Sequence, residues 1–400
     1  MLEFMSLVEK IRSESRMNRN QMMNLTDLFY EDMDLRKSLR MMPAHIFVDN
    51  SIKPGQYVAL DFGGSNVRIM LYEIFASGGI ELLNSKLIPL RGNFYDFTTE
   101  EYELKDIFGV IVNRIKEIVE EENSYLLGHT FSFPIEIKGR NESTIVAMTK
   151  GFNLKNAIGQ DVNAILKSEI DRVGLKVTPV SILNDSIATL LAGRLNNPNT
   201  DIACIVGTGH NICFIDNDNQ LINTECGSFN MGIPISSYDE QFLALIPQEK
   251  NALMEAFVGG KNSGKIAENY KRIIESEYKN NLNLDNITPK LLSMATEDKY
   301  GELKLGIEER VFLNNIAKSI FNRAAQLVVC EIMAILRRID PELERAHNIV
   351  FDGSVYEKTP YFRKCLTKYI TIMYGEKSKK ITHSLMKDGS SLGAAISAAM

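Results

Sequence analysis

Leu60-Asp61-Phe62-Gly63-Gly64-Ser65-Asn66-Val67-Arg68 is the first of two glycine-rich turns in this chain, and Ile205-Val206-Gly207-Thr208-Gly209-His210-Asn211-Ile212 is the second. Each lies between apolar, β-branched runs: Tyr57 to Leu60 and Val67 to Tyr72 around the first, Ile202 to Val206 and Ile212 to Ile215 around the second. The pattern predicts two hairpins with turns that only glycine can make. Backbone N–H groups in such turns suit phosphate oxygens. Two copies imply two related half-domains gripping one polyphosphate.

The surrounding sequence supports a repeated α/β plan. Val58 to Pro89 reads as a three-stranded antiparallel meander, and Tyr102 to Glu122 places Ile107, Phe108, Ile111, Val112, Ile115, Ile118 and Val119 on one face of a helix. Leu126 to Phe133 is a strand, Asp161 to Val173 a helix stopped by Gly174, and Val177 to Leu183 a strand running into Asn184-Asp185 and a helix, Ser186 to Leu195. The second hairpin follows, with a third strand at Leu221 to Thr224. From Ser236 to Asp340 the chain is mostly helical. His347 to Phe351 is a strand ending in Asp352-Gly353-Ser354, Tyr361 to Tyr374 a helix, and Asp388-Gly389-Ser390 opens a small-residue helix to Met400. The N-terminal segment, Leu2 to Arg40, has helical periodicity, and Pro43 and Pro54 break the chain after it.

Bulk properties narrow the function classes. Four hundred residues exceed one comfortable hydrophobic core, so two domains are expected. The composition, 44% apolar and 24% charged with a net charge of −6, is that of a soluble globular protein and argues against a nucleic-acid partner. No secretory signal is evident, and the longest apolar stretch, Ala324 to Leu336, contains Glu331 and reads as a buried helix rather than a membrane span. Five cysteines without CxxC spacing support neither a zinc site nor a disulfide framework, and fit a reducing cytoplasm.

Several residues are candidates for chemistry. Asp61 ends a strand beside Gly63 and Gly64; a carboxylate near phosphates calls for Mg²⁺, bridged through water, with Arg68 adding positive charge. The alternative is a strand-end Asp capping its own turn, with Arg68 as its surface partner. Thr208, between two glycines, could hold a phosphate. Asp185 follows an apolar strand and is either a helix N-cap or a general base at the mouth of a sheet. His129 and His210 have no carboxylate or histidine at metal-ligand spacing and read as packing or hydrogen-bonding residues.

Taken in order, these segments resemble the hexokinase family over nearly the whole chain. Ser38 to Pro43, Leu60 to Arg68, Thr130 to Pro134, Thr149 to Phe152, Asn184-Asp185, Gly207 to Asn211, Asn223 to Glu225, Phe351 to Tyr356 and Asp388 to Ala395 each match a family segment in sequence order. The resemblance implies an α/β, two-lobed, actin-like (ribonuclease H-like) ATPase fold, each lobe a mixed sheet with flanking helices. The lobes are then 57–186 plus 388–400 (small) and 1–56 plus 187–387 (large). It further implies a cytoplasmic, ATP- and Mg²⁺-dependent hexose kinase of glycolysis, acting on the 6-hydroxyl of a hexose, with glucose as the leading substrate. Ser132, Thr149, Lys150, Asn184, Asn211 and Glu225 would bind sugar, with Asp185 as base and Arg68 assisting. Gly63, Gly64, Asn66, Gly207 and Thr208 would surround the phosphates, and Gly353, Ser354 and Ser390 would lie near the nucleoside. No membrane partner is implied, and a homodimer is compatible with the pattern.

The chain departs from the family in one respect. In the segment where the family pattern carries a further sugar-binding glutamate, Val258 to Lys265 puts Lys265 at the acid's place. A carboxylate accepts hydroxyl protons and an ammonium only donates. Either Glu255 or Glu268 substitutes, or the alignment slips, or the sugar is held differently. The competing readings are a hexokinase-like sugar-binding regulatory protein with weak or no catalysis, and an actin- or chaperone-type ATPase.

Overall fold

The computed structural model describes residues 2–48, 52–148, 152–246, 251–279 and 281–400. Helices α1 (Leu2–Glu14) and α2 (Arg19–Leu35) precede strand β1 (Met42–Phe47). A meander of β2 (Gly55–Phe62), β3 (Asn66–Ile74) and β4 (Ile80–Pro89) runs into α3 (Leu104–Lys116) and β5 (Tyr125–Phe131). Next come the hairpin β6 (Ile135–Gly139) and β7 (Glu142–Ile145), then α4 (Val162–Val173), β8 (Val177–Leu183) and α5 (Asp185–Asn196). A second meander, β9 (Thr200–Val206), β10 (His210–Ile215) and β11 (Gln220–Asn223), leads to α6 (Ser237–Leu245), α7 (Leu253–Val258), α8 (Gly260–Tyr278), α9 (Pro289–Ala295) and α10 (Ile307–Ile339). The chain ends with β12 (His347–Asp352), α11 (Ser354–Lys358), α12 (Pro360–Tyr374), β13 (Ile381–Leu385) and α13 (Gly389–Ala399).

The repeat read from the sequence is present in the topology. One sheet has the order β4-β3-β2-β5-β8, the other β1-β11-β10-β9-β12-β13. Leaving out β1, both follow third-second-first-fourth-fifth. In the first sheet β2, β3 and β4 pair antiparallel while β2, β5 and β8 run parallel; β12 and β13 are also parallel. Pro43 does not break the chain as expected. It sits in β1, an edge strand, where a missing N–H costs no ladder bond.

Contacts divide the chain into two compact units. The first comprises Met1–Met41, Cys204–Ile212 and Thr224–Leu385; the second comprises Met42–Ala203, Cys213–Asn223 and Met386–Met400. In the second unit, alternation along β2 sends Val58, Leu60 and Phe62 to one face, where they pack with Ile107, Phe108 and Ile111 of α3 and Leu166 and Ile170 of α4. Tyr57 and Ala59 face the other way, onto Ala394, Ala395 and Ala398 of α13. The same alternation turns Asp61 toward the α13 side. The ends of α4 follow the sequence reading: Asp161 accepts from the Ala164 N–H at 2.7 Å, and Gly174 closes the helix at φ 74°.

In the first unit, α10 is the spine. Its 33 residues are apolar around most of the circumference because α1, α2, α7, α8, α9 and α12 all pack on it. Among the described residues it is the one helix long and apolar enough to cross a membrane, and nearly all of that stretch is buried inside the protein. All five cysteines are buried and free.

Candidate active site

Three parallel strands of the second unit end side by side, and each delivers a candidate residue at its carboxyl end. Asp61 of β2 is in register with Thr130 of β5, and Thr130 with Leu183 of β8, which runs into Asn184 and Asp185. Carboxyl ends of parallel strands are where open α/β sheets bind ligands. The Asp61 carboxylate is half-buried. Its Oδ1 accepts from Ser390 Oγ at 2.6 Å and Thr130 Oγ1 at 2.9 Å, and its Oδ2 from Ser391 Oγ at 3.4 Å. Burial raises its pKa; the two hydroxyl bonds at Oδ1 and the Arg68 guanidinium pull it back, and Asp185 adds to the rise. A carboxylate so occupied by hydroxyls reaches a hard cation most readily through an intervening water, so the residues fit the water-bridged Mg²⁺ that the sequence suggests.

The alternative reading of Asp185 as a helix cap falls to its neighbour. Asn184 is the N-cap of α5, its Oδ1 accepting from the Ser186 N–H at 2.9 Å. Asp185 is the first helical residue, where the helix dipole favours a negative charge. Its Oδ1 accepts from the same N–H at 2.8 Å, and its Oδ2 accepts from Ser132 Oγ at 3.3 Å. Arg68 stands opposite Asp61 in the β2–β3 ladder, but its ion partner is Asp388, at 2.7 Å. That pair is half-exposed and contributes about 1 kcal/mol or less.

The glycines of both turns work differently from the sequence expectation. None of Gly63, Gly64, Gly207 and Gly209 has a left-handed φ. Their surroundings are close but not closed: an added Cβ would lie a tight 3.2 Å from the Asn66 carbonyl oxygen at Gly63, 2.8 Å from the movable Glu255 carboxylate at Gly209, and at an ordinary 3.4 Å from Gly353 Cα at Gly207. The first turn is closed by the Gly63 N–H donating to the Asn66 carbonyl at 3.1 Å.

In the first unit the second turn lies on a bed of backbone. The Gly260 N–H donates to the Gly207 carbonyl at 2.8 Å and the Lys261 N–H to the Thr208 carbonyl at 3.2 Å, so the start of α8 clamps it. Gly353, between β12 and α11, has φ 111°, and a Cβ there would lie 2.5 Å from Val206 carbonyl atoms. Glycine is demanded at 353 on both counts. Ser354 then opens α11, and Thr208 is left exposed at the tip of the turn. Glu225, just after β11, holds φ 54°, an unfavourable conformation for a non-glycine residue and of the kind that clusters at functional sites. Asn211 and Glu225 are both half-buried. Thr149 and Lys150 lie outside the described residues.

Comparison with known proteins settles the family. Residues 7–195 and 201–400 match two family models, each described as hexokinase. The chain belongs to the hexokinase family. Hexokinase-7 of Oryza sativa subsp. japonica is 28% identical over 402 residues, covering 88% of this chain and 85% of that protein. Hexokinase-1 of Saccharomyces cerevisiae is 28% identical over 399 residues, covering 86% and 80%. The hexokinase from Schistosoma mansoni complexed with glucose superposes with a TM-score of 0.84 at 22% identity, covering 100% of this chain and 99% of that one. The chain thus has the actin-like ATPase fold and is a phosphotransferase, a sugar kinase that uses ATP.

Within this hexokinase, Lys265 and Glu255 are placed differently. Lys265 is exposed on α8. Glu255, on α7, lies against the second turn: its Oε2 accepts from the His210 N–H at 3.4 Å, and its Oε1 meets Lys261 Nζ at 3.3 Å. Packing of Phe257 under the Arg323 guanidinium, 3.9 Å from the ring centre, fixes α7; Arg323 is itself paired with buried Asp239 at 2.8 Å. Substituting Lys265 by Glu is therefore expected to leave the sugar profile unchanged within about twofold, since surface changes away from a site move energies by only a few tenths of a kcal/mol; initial rates on a hexose panel check this.

Sequence reasoning missed other residues as well. Thr130 and Ser391 hold Asp61, and Ser390, expected near a nucleoside, is turned onto Asp61. His210 hydrogen-bonds as expected, through Nδ1 to the Ile205 carbonyl at 3.0 Å, but it also has a carboxylate partner that spacing could not reveal: Nε2 lies 2.7 Å from Glu331 Oε2, both side chains fully buried. Cys226 completes the group, with ligand-type atoms of all three residues within 4.8 Å of one another. Burial alone would lower the His210 pKa, but Glu331, the Ile205 carbonyl and Glu255 together outweigh it and the net shift is upward.

Proposed function

We propose that this hexokinase transfers the γ-phosphate of ATP to the 6-hydroxyl of a hexose, glucose first among them, with Asp185 as general base. The observation that carries this reading is the row of Asp61, Ser132 and Asp185 at adjacent parallel strand ends, with the Ser132 hydroxyl on the Asp185 carboxylate. Ser132 holds one oxygen of Asp185 in place, and the carboxylate takes the proton from the attacking hydroxyl as the new P–O bond forms. ADP leaves with the electron pair of the broken bond. Asn184, Asn211, Glu225 and Glu255 accept or donate at the remaining sugar hydroxyls, with Thr149 and Lys150 as further candidates. The turns at Gly63–Asn66 and Gly207–Thr208 are the proposed phosphate contacts, through N–H groups other than those of Gly63 and Gly207, which already bond within their turns; Arg68 adds positive charge, and Gly353 and Ser354 border the nucleoside. A Mg²⁺ ion, held through water at Asp61, would neutralise phosphate charge in a reaction that depends on positioning and electrostatics.

Glucose as substrate draws support from the glucose complex of the Schistosoma mansoni relative. The buried free thiols are compatible with the cytoplasm as the site of action, at the entry to glycolysis.

The test is sugar-stimulated ADP release from the purified protein with Mg-ATP and a panel of hexoses. Well-folded protein that releases no ADP with any hexose overturns the reading. In the same assay Glu255→Gln is expected to raise the sugar KM about 10–100-fold, the cost of weakening a charged hydrogen bond, with a smaller change in kcat. An unchanged KM would remove Glu255 from the sugar site.

A further inference from the structure

In the first unit, α1, the α1–α2 link, α10 and α12 enclose an open cavity of about 490 Å³, lined by no residue of either glycine-rich turn. Five cations line it: Arg12 from α1, Arg16 from the link, Arg19 from the start of α2, Lys318 from α10 and Lys368 from α12. One acid lines it, Glu9, and it is already paired with Arg12 at 3.2 Å. Among the described residues, Arg16, Arg19, Lys318 and Lys368 have no carboxylate at ion-pair distance. The chain as a whole carries a net charge of −6, so this concentration of positive charge runs against its composition.

The rest of the wall is built to hold a ligand in place. Tyr369 is buried, and its hydroxyl donates to Asn322 Oδ1 at 2.8 Å, which fixes the aromatic floor. Met17 and Met22 are buried beside it. The N-terminus of the 17-residue helix α2, capped by Asn18, also borders the cavity and adds the positive end of a helix dipole. Like charges crowded around one hollow raise the energy of the folded chain, and a bound anion relieves that repulsion.

We propose that this cavity binds a small organic anion carrying two or more phosphate groups. Its volume is within the range of about 300–1,000 Å³ common to small-molecule sites. The cations stand on four helices and a link, so a single phosphate cannot meet them all. Arginine forks match phosphate oxygens two at a time, and the lysines add point charges.

The experiment is calorimetric titration of the full-length protein, without Mg²⁺, with inorganic tripolyphosphate and separately with a hexose bisphosphate, alongside sulfate as a single-anion control. Wild type and the double variant Lys318→Ala/Lys368→Ala are compared. The expected result is a binding event that the variant loses or weakens about tenfold or more, as two charge-assisted contacts disappear. That event should also fade as salt rises from about 0.05 M to about 0.5 M, because the charges are solvent-exposed. Sulfate should compete weakly. Neither lysine belongs to the catalytic machinery, so the variant's kcat and KM for sugar and ATP should match wild type. Tighter binding of tripolyphosphate would point to a polyphosphate chain as the ligand; tighter binding of the bisphosphate would point to a sugar. Superimposable isotherms for wild type and variant with both probes overturn the proposal. Arg19→Gln, on a different element, gives the same readout should the double variant fold poorly.

Discussion

Asp185→Asn is expected to bind ATP as tightly as wild type and to phosphorylate sugar about 10²–10⁴-fold more slowly, the usual contribution of a positioned base. The substitution is nearly isosteric. The amide oxygen can still accept from the Ser186 N–H, which Asp185 Oδ1 does at 2.8 Å, and Asn184 remains in place as the N-cap of α5. What disappears is the group that accepts a proton. Coupled ADP formation measures the rate, and equilibrium titration with a fluorescent nucleotide measures binding. A variant that keeps turnover within a few-fold of wild type would remove Asp185 as the base. Loss of nucleotide binding in step with turnover would mean that its role is structural.

The second large effect concerns stability. Glu331→Ala should destabilise the protein by about 3–5 kcal/mol near pH 6, because it leaves His210 buried without its counter-charge. The pH dependence distinguishes this from simple loss of packing. In wild type the folded-state pKa of His210 is raised above its ordinary 6.5: burial lowers it, and Glu331, with the Ile205 carbonyl and Glu255, more than offsets this. The pair's contribution is therefore fully present below about pH 6.5 and is lost as pH rises through the folded-state value. In the variant burial, the largest single influence on His210, is opposed only by the Ile205 carbonyl and Glu255, so the folded pKa falls and the stabilisation that protonation brings in acid is lost. The gap between the two proteins should be widest at low pH and narrow toward pH 9, as read by urea midpoints across the range. A gap that does not change with pH would show that the pair carries no charge in the folded protein.

Local signals were legible in the sequence wherever one residue type had one physical use. The apolar face of α3, the Asp161 and Gly174 ends of α4, the strand β8 and both meanders all followed from periodicity and turn chemistry. The strands that escaped are those with weak local pattern. β1 contains Pro43, and β13 follows a lysine-rich turn; both are edges of the same sheet. β6 and β7 form a short, largely polar hairpin. In the candidate site, Asp61, Asp185 and Thr208 could be picked out because each adjoins a strand end or a glycine. Thr130 and Glu331 could not, since their significance comes from a neighbour in space: Thr130 meets Asp61 through parallel register, and Glu331 reaches His210 from 121 residues along the chain. The choice among Lys265, Glu255 and Glu268 stayed open for a related reason. A linear pattern fixes a position along α8 but not the side chain that α7 turns toward the second turn.

The bed of glycines beneath the second turn has a consequence for motion. Gly260 and Gly353 both bring main chain against main chain, with a Val355 methyl group also against Gly260, and main-chain contacts have no rotamers to change. The turn, the head of α8 and the β12–α11 corner must then vibrate as one stiff body. Thermal adjustment to nucleotides of differing shape has to be absorbed by softer parts of the chain. Directed evolution of nucleotide preference should accordingly find its tolerated changes away from these two positions.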